Sequence, residues 1–405
     1  MLKTAGTLVF VRREWRFLLF GLLLAFWSGP GQTFVISLVG GHIRAEFGLS
    51  HGSFGAIYTA ATLVCAAMLW KAGPLVDRLP LRQFAFKVAL IMIAAMVAFG
   101  FVQGPITLFF GIIAVRFMGQ GMMNHISLTA MARRYEAERG RAIAIATFGY
   151  PIGEAVFPPV VVAMLTIMDW RFIWPVLAAV MAITLLPVMS RLIHHTKAQD
   201  GHGAEELAAL DEDARHWTRA EMLRDRKFYM LAPTAMAPSA IFTGVFFHQV
   251  YLVTSKGWSF EWWSLSFSIF ALAAVIGGII TGILVDRFRA RRLVPYVLLP
   301  LSVGIYIFAV STSEFYVAPI MFALGLGAGC LNPVLSSLWA ELYGTRHLGA
   351  IRAVATVVMV FGSALGPVFM GWALDAEVTL SVIVYTSIAL VIACALLAKI
   401  ALMTR

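Results

Sequence analysis

An all-α integral membrane protein of twelve transmembrane helices, built as two six-helix bundles with pseudo-two-fold symmetry, is the fold class this sequence predicts. Three observations lead there. Of 405 residues, 60% are hydrophobic and only 13% charged, whereas a soluble domain carries about a quarter charged residues. Apolar runs of about 20 residues, the length that crosses a bilayer as helix, recur twelve times. The stretch Gly73-Pro74-Leu75-Val76-Asp77-Arg78 also returns 209 residues later as Gly282-Ile283-Leu284-Val285-Asp286-Arg287. The same offset pairs Gly48 with Gly257, Ser50 with Ser259, Arg82 with Arg291, Gly140 with Gly349, Thr147 with Thr356, Gly153 with Gly362 and Pro158 with Pro367. A register held over that distance points to a duplicated unit.

The first run, about 16–38, follows Arg12 and Arg13 and lacks a small-residue cleavage site, so it reads as a retained span. Within it Gly29-Pro30-Gly31 breaks or loosens the helix, either as a hinge beside a binding site or for packing. Further runs fall at about 51–71, 84–103, 106–131, 141–166 and 171–190. Residues 191–227 are too polar for lipid and form a cytoplasmic linker between a first bundle, 1–190, and a second, 228–405. Thr218 and Glu221 have capping-box spacing, which suits a short surface helix; an unstructured loop is the alternative. Six more runs follow at about 228–254, 259–285, 293–311, 315–340, 347–372 and 377–400.

Net charge is +10, yet the basic residues are placed by side. Of 31 Lys and Arg, 27 fall on one face, with Arg44, Arg171 and Lys256 on the other and Arg116 between. That is the positive-inside pattern, so it signals topology and excludes a nucleic-acid partner. Both termini are expected in the cytoplasm, in a multi-pass protein of the inner (cytoplasmic) membrane. Cys65, Cys330 and Cys394 lie inside apolar runs, so neither a disulfide framework nor a metal site is indicated. No Gly-x-x-x-x-Gly-Lys-Ser/Thr loop occurs, and no cofactor or ATP is expected.

The two loop copies resemble the signature of the major facilitator superfamily of secondary transporters. That signature reads Gly, three residues, Asp-Arg, one residue, Gly, then two basic residues, after the second and eighth spans. Gly73, Asp77, Arg78 and Arg82 fit it, as do Gly282, Asp286, Arg287, Arg291 and Arg292; Pro80 and Arg289 replace the second glycine, Leu81 and Ala290 the first basic residue. The resemblance implies alternating access, a gating role for Gly73, Asp77, Arg78, Arg82, Gly282, Asp286 and Arg287, and a substrate cavity lined by spans 1, 4, 7 and 10. An acid at a helix end also suits gate chemistry physically, since it can cap a neighbouring span and pair with arginine.

Charge in the hydrocarbon core costs about 2.5 to 3.5 kcal/mol on insertion scales. Arg116 in span 4 and Glu154 in span 5 are the two charged residues that fall near mid-membrane. Arg116 reads as a fork for a carboxylate and Glu154 as a proton-coupling acid; a buried ion pair tying the spans together is the alternative. Gln32 and Thr33 in span 1, His248 and Gln249 in span 7, and Asn332, Ser336 and Ser337 in span 10 are further substrate-binding candidates, with His248 also a possible proton carrier. Singly, such polar residues equally serve helix packing. Tyr58 and Tyr150 are candidates to close the cavity. Gly325, Gly327 and Gly329 have nucleotide-loop spacing but no preceding strand, and read as close helix packing. Gly149, Gly153, Pro158 and Pro159 only loosely resemble the glycine-proline motif of the family's exporters.

The chain is therefore expected to carry a small organic anion by proton symport or exchange, nearer the organic-anion and monocarboxylate type than the drug-efflux type. Its partners are a small-molecule substrate, protons and the bilayer, and it is expected to act as a monomer and not as an enzyme. A proton-driven multidrug or metabolite exporter of the same fold is one rival. A membrane receptor without transport is another, although the sequence holds no sizeable cytoplasmic signalling domain.

Overall fold

The computed structural model describes residues 2–135, 138–192 and 217–403, with backbone alone for 2–8, 77 and 192. Most of the expected linker therefore lies outside the described residues, as does the side chain of Asp77. Among the described residues, eleven helices are long and apolar enough to span a bilayer, and one bent pair raises the number to twelve. Span 1 is that pair, Val9–Gly31 and Thr33–Phe47, bent by 43°. Spans 2 to 6 are His51–Ala72, Leu81–Phe99, Pro105–Arg134, Arg139–Leu165 and Trp170–Arg191. Spans 7 to 12 are Arg226–Phe247, Phe260–Phe288, Ala290–Val310, Glu314–Tyr343, Leu348–Asp375 and Leu380–Met403. Helix is the form that satisfies every backbone polar group of such a segment without water.

The bend in span 1 comes from its sequence. Gly29–Gly31 forms a 3-10 turn with Pro30 inside it, and the helix resumes at Thr33. The capping box is formed: the Thr218 N–H donates to Glu221 Oε2 at 2.7 Å, and the Glu221 N–H donates to Thr218 Oγ1 at 3.3 Å, starting the helix Arg219–Met222. Gly48 and Gly257, a pair in the repeat, both adopt positive φ, 62° and 67°, in the turns before spans 2 and 8. Any side chain there would meet the left-handed steric penalty.

Two of the three cations on the face poor in basic residues are committed to helix ends. Arg171 Nη1 donates to the carbonyls of Gly100 and Val102, at 3.1 and 2.6 Å, beyond span 3. Lys256 Nζ donates to those of Ala309 and Ser311, at 3.4 and 2.8 Å, at the end of span 9. These acceptors are the same positions in the two copies, 209 residues apart. A cation at the negative end of a helix dipole explains why both sites keep a basic residue on the side otherwise poor in them. Burial pushes the Lys256 ammonium pKa below the usual range.

The chain forms two compact units. One comprises Met1–His42 and Ala61–Ala204, the other Ile43–Ala60 and Glu205–Arg405. In the second unit the amino end of span 2 lies on span 11. A Cβ on Gly55 would stand 2.5 Å from the Pro367 carbonyl, and one on Gly371 2.5 Å from the His51 carbonyl. Thr59 Oγ1 donates to the Ala364 carbonyl. The glycine row of span 10 is packing, as its context suggested: a Cβ on Gly325 would lie 2.2 Å from the Phe270 carbonyl and one on Gly329 2.0 Å from that of Ala274. Backbone-to-backbone contact of this kind requires residues without side chains.

Candidate functional site

The polar cluster of the first unit is built around the break in span 1. Immediately after Arg116, span 4 widens into a π-helical segment, Phe117–Met123. Such segments arise where one residue is accommodated out of the i to i−4 ladder, and they concentrate at functional sites. Gly31 is pressed against this segment: a Cβ there would be 2.6 Å from the Val115 carbonyl and 2.9 Å from the Gln120 nitrogen. The contact brings Gln32 and Thr33, just past the break, to the level of Arg116.

Arg116 is buried, 3% exposed, and its Nη1 donates to Thr33 Oγ1 at 3.4 Å. The Tyr150 hydroxyl, from span 5, donates to Gln32 Oε1 at 3.4 Å. Glu154, half-buried, follows Tyr150 by four residues and so lies on the same face of span 5. Spans 1, 4 and 5 thus bring together a guanidinium, an amide and two hydroxyls within apolar helices, with the Glu154 carboxyl one turn along span 5 from Tyr150. The guanidinium supplies a planar fork of donors suited to a carboxylate.

The family comparison meets this architecture over nearly the whole chain. The Major Facilitator Superfamily profile matches residues 18–367 and, again, 244–405. The chain belongs to the major facilitator superfamily. As a member it is a membrane transporter and not an enzyme. It is 25% identical over 383 residues, 83% of each chain, to the "Probable galactarate/D-glucarate transporter" of Escherichia coli (strain K12). It is 26% identical over 369 residues, 84% of this chain and 83% of the other, to the "Probable sulfoacetate transporter" of Cupriavidus necator. A shorter similarity, 32% over 114 residues, links it to a multidrug resistance protein B homolog of Mycobacterium tuberculosis, of whose length it covers 21%. In fold it is similar to the nucleoside transporter NupG, with a TM-score of 0.75 at 15% identity, over 96% of this chain and 99% of that one.

This superfamily member keeps the remaining candidates in its second unit. His248 is buried, with Nε2 2.9 Å from the Pro367 carbonyl and its ring 5.5 Å from that of His51. Gln249, also buried, accepts a 2.8 Å hydrogen bond from Trp263 Nε1. Tyr58 is buried against Phe247. Asn332 is exposed in mid-span, and Ser336 accepts a hydrogen bond from Arg352. His248 and Gln249 therefore sit in the packing of spans 7, 8 and 11, while Asn332 and Ser336 sit on span 10.

The loop motifs are anchored differently in the two copies. In the first, His125 Nε2 lies 3.2 Å from the Gly73 carbonyl and Arg133 donates to the Val76 carbonyl at 3.2 Å. In the second, Glu341 accepts from the N–H groups of Ala290 and Arg291, at 2.7 and 3.3 Å. Asp286 and Arg287 are exposed. Sequence reasoning missed the widened segment around Gln120, whose backbone meets Gly31, and missed His125, Arg133 and Glu341 as loop partners. The Gly119-Gln120-Gly121 run inside an apolar span was the available signal for the first; the others needed the packing of span 4 or span 10 on the loops.

Proposed function

We propose that this transporter moves a small organic anion, of carboxylate type, across the cytoplasmic membrane by alternating access, as a proton symporter or exchanger with both termini cytoplasmic. What supports an anion is Arg116, a cation buried within span 4 beside the broken span 1. Intramembrane cations of this kind mark substrate paths. The two relatives aligned over more than four-fifths of the chain bear the names of transporters for anions, a sugar diacid and a sulfonated acid. Arg116, Thr33, Gln32 and Tyr150 bind the anion in this reading. Asn332, Ser336, His248 and Gln249, in the second unit, are the further substrate-binding candidates of this reading. Glu154 takes up the coupling proton, with His248 as a second candidate, and the loop residues Gly73, Asp77, Arg78, Arg82, Gly282, Asp286 and Arg287 gate the inner face. An exporter is the second reading, favoured by the similarity to the multidrug resistance homolog over 114 residues.

Uptake and binding of galactarate, D-glucarate and sulfoacetate by the purified protein in proteoliposomes test the proposal. Arg116→Lys keeps the charge but loses the fork, and weakens binding by about 10-fold to 100-fold while the fold survives. Glu154→Gln spares binding and exchange but removes the pH dependence of net uptake. Variants that fold well and keep the parent's affinity at every pH overturn the anion reading, and accumulation directed outward favours the exporter. If the two groups were only a structural pair, each single change would cost about 3 to 5 kcal/mol and the double neutral variant would recover stability.

A further inference from the structure

Asp375, at the end of span 11, is absent from every role described so far, yet its carboxylate is fully engaged. Oδ2 accepts from Ser50 Oγ at 2.7 Å and from the Gly52 N–H at 2.8 Å, and Oδ1 accepts from the His51 N–H at 2.9 Å. These are the first groups of span 2, a helix of 22 residues. The carboxylate therefore satisfies backbone donors that the helix itself leaves open and sits at the positive end of its dipole.

The second copy shows how unusual this supply is. Ser259, the repeat partner of Ser50, begins span 8; its N–H donates to Glu314 Oε2 at 3.0 Å. Glu314 opens span 10, so the second copy draws the acid from within its own half of the sequence. The position 209 residues before Glu314 is Pro105, which carries no acid. Span 2 belongs to the first copy and takes its carboxylate from the second. Around that bond the packing is close: Phe54 and Tyr58 lie on Phe247 at ring distances of 4.7 and 4.5 Å, and His51 meets His248 and Tyr251.

We infer that Asp375 is a positioning residue for transport: its carboxylate latches the outer end of span 2 to span 11, and releasing these three hydrogen bonds is a step in opening the carrier to the outside. In duplicated transporters the halves move against one another; the Ser50–Gly52 end of span 2 packs in the second unit and the rest of span 2, from Ala61, in the first, so releasing the Asp375 bonds frees that end to move with its own copy. The inference rests on alternating access and not on the substrate's being an anion.

The test reads accessibility, and needs no substrate. In full-length protein with Cys65, Cys330 and Cys394 replaced by serine, a cysteine is placed at Ala61, which is buried and continues the Phe54 and Tyr58 face of span 2 inward. A membrane-impermeant maleimide is applied from the outer side of intact cells. Asp375→Asn labels about tenfold faster than the parent, because the charge on the helix dipole is lost; Asp375→Glu stays near the parent. Equal rates for parent and Asp375→Asn overturn the inference. Should Asp375→Asn fail to fold, the paired changes Ser50→Cys and Asp375→Cys replace it. Oxidation to the disulfide stops labelling at position 61 and reduction restores it, whereas identical labelling in both states overturns the latch. Failure of the anion reading would appear in uptake assays and leave these labelling rates untouched.

Discussion

Gln32, Thr33, Arg116, Gln120 and Glu154 occupy spans 1, 4 and 5 of the first copy; 209 residues on, the second copy has Ile241, Phe242, Gly325, Gly329 and Ser363. Where one copy holds a guanidinium, the other holds a glycine whose missing side chain lets span 10 rest on the Phe270 carbonyl of span 8. The first copy places its own close approach elsewhere, between Gly31 in the break of span 1 and the π-segment of span 4. A duplicated scaffold has thus diverged into a half that presents polar groups and a half that fills the same places with Ile241, Phe242, Ser363 and, at Gly325 and Gly329, backbone contact. The reason is steric as much as electrostatic. An arginine needs room and hydrogen-bond partners, and two helices in backbone contact offer neither.

The largest effect expected from breaking this contrast is at Gly325. Gly325→Ala puts a methyl group 2.2 Å from the Phe270 carbonyl and costs about 3 kcal/mol, or folded protein altogether. Gly121→Ala in the first copy meets nothing nearer than 3.7 Å and leaves stability within about 0.5 kcal/mol. Thermal unfolding in detergent measures both, and similar melting temperatures would mean the two copies are packed alike after all.

A smaller difference is expected at the two motif loops. Glu341→Gln removes the acid that accepts from Ala290 and Arg291 and costs about 2 kcal/mol, since charged acceptors make the stronger bonds. Arg133→Gln removes one bond to the Val76 carbonyl and costs about 1 kcal/mol. Limited proteolysis of each loop, alongside the melting curve, reports which loop loosens. An order reversed between the two variants would sink the assignment of Glu341 as the stronger anchor.

The smallest effect is a gain. Arg289 stands where the family signature has its second glycine, and its φ is 65°. Arg289→Gly relieves that conformation and stabilises by about 1 kcal/mol. Pro80, its counterpart, has φ −58°, native to proline, so Pro80→Gly loses stability by several tenths of a kcal/mol. Opposite signs in the two melting shifts are the result to look for.

The membrane class, the spans, the break at Gly29-Pro30-Gly31, the duplication and the family were all legible in the residues, because each rests on local pattern or on identity at a fixed offset. Hydrocarbon leaves the backbone one economical answer, helix, and a run of apolar residues states it without reference to its neighbours. Arg116 and Glu154 stood out for the same reason, as charges with no place in such a run. What each polar side chain touches was decided by tertiary structure alone. His248 and Gln249 read in the sequence only as polar residues of span 7; that one bonds the Pro367 carbonyl and the other the Trp263 indole needed the packed helices. Asp375 looks like an ordinary acid at a span's end; that it holds the amino end of span 2 depends on contact between residues 323 to 325 positions apart. Composition and periodicity carry no information about pairings at that separation. They arise only when helices pack, and packing is set by which faces carry glycine and which carry bulk.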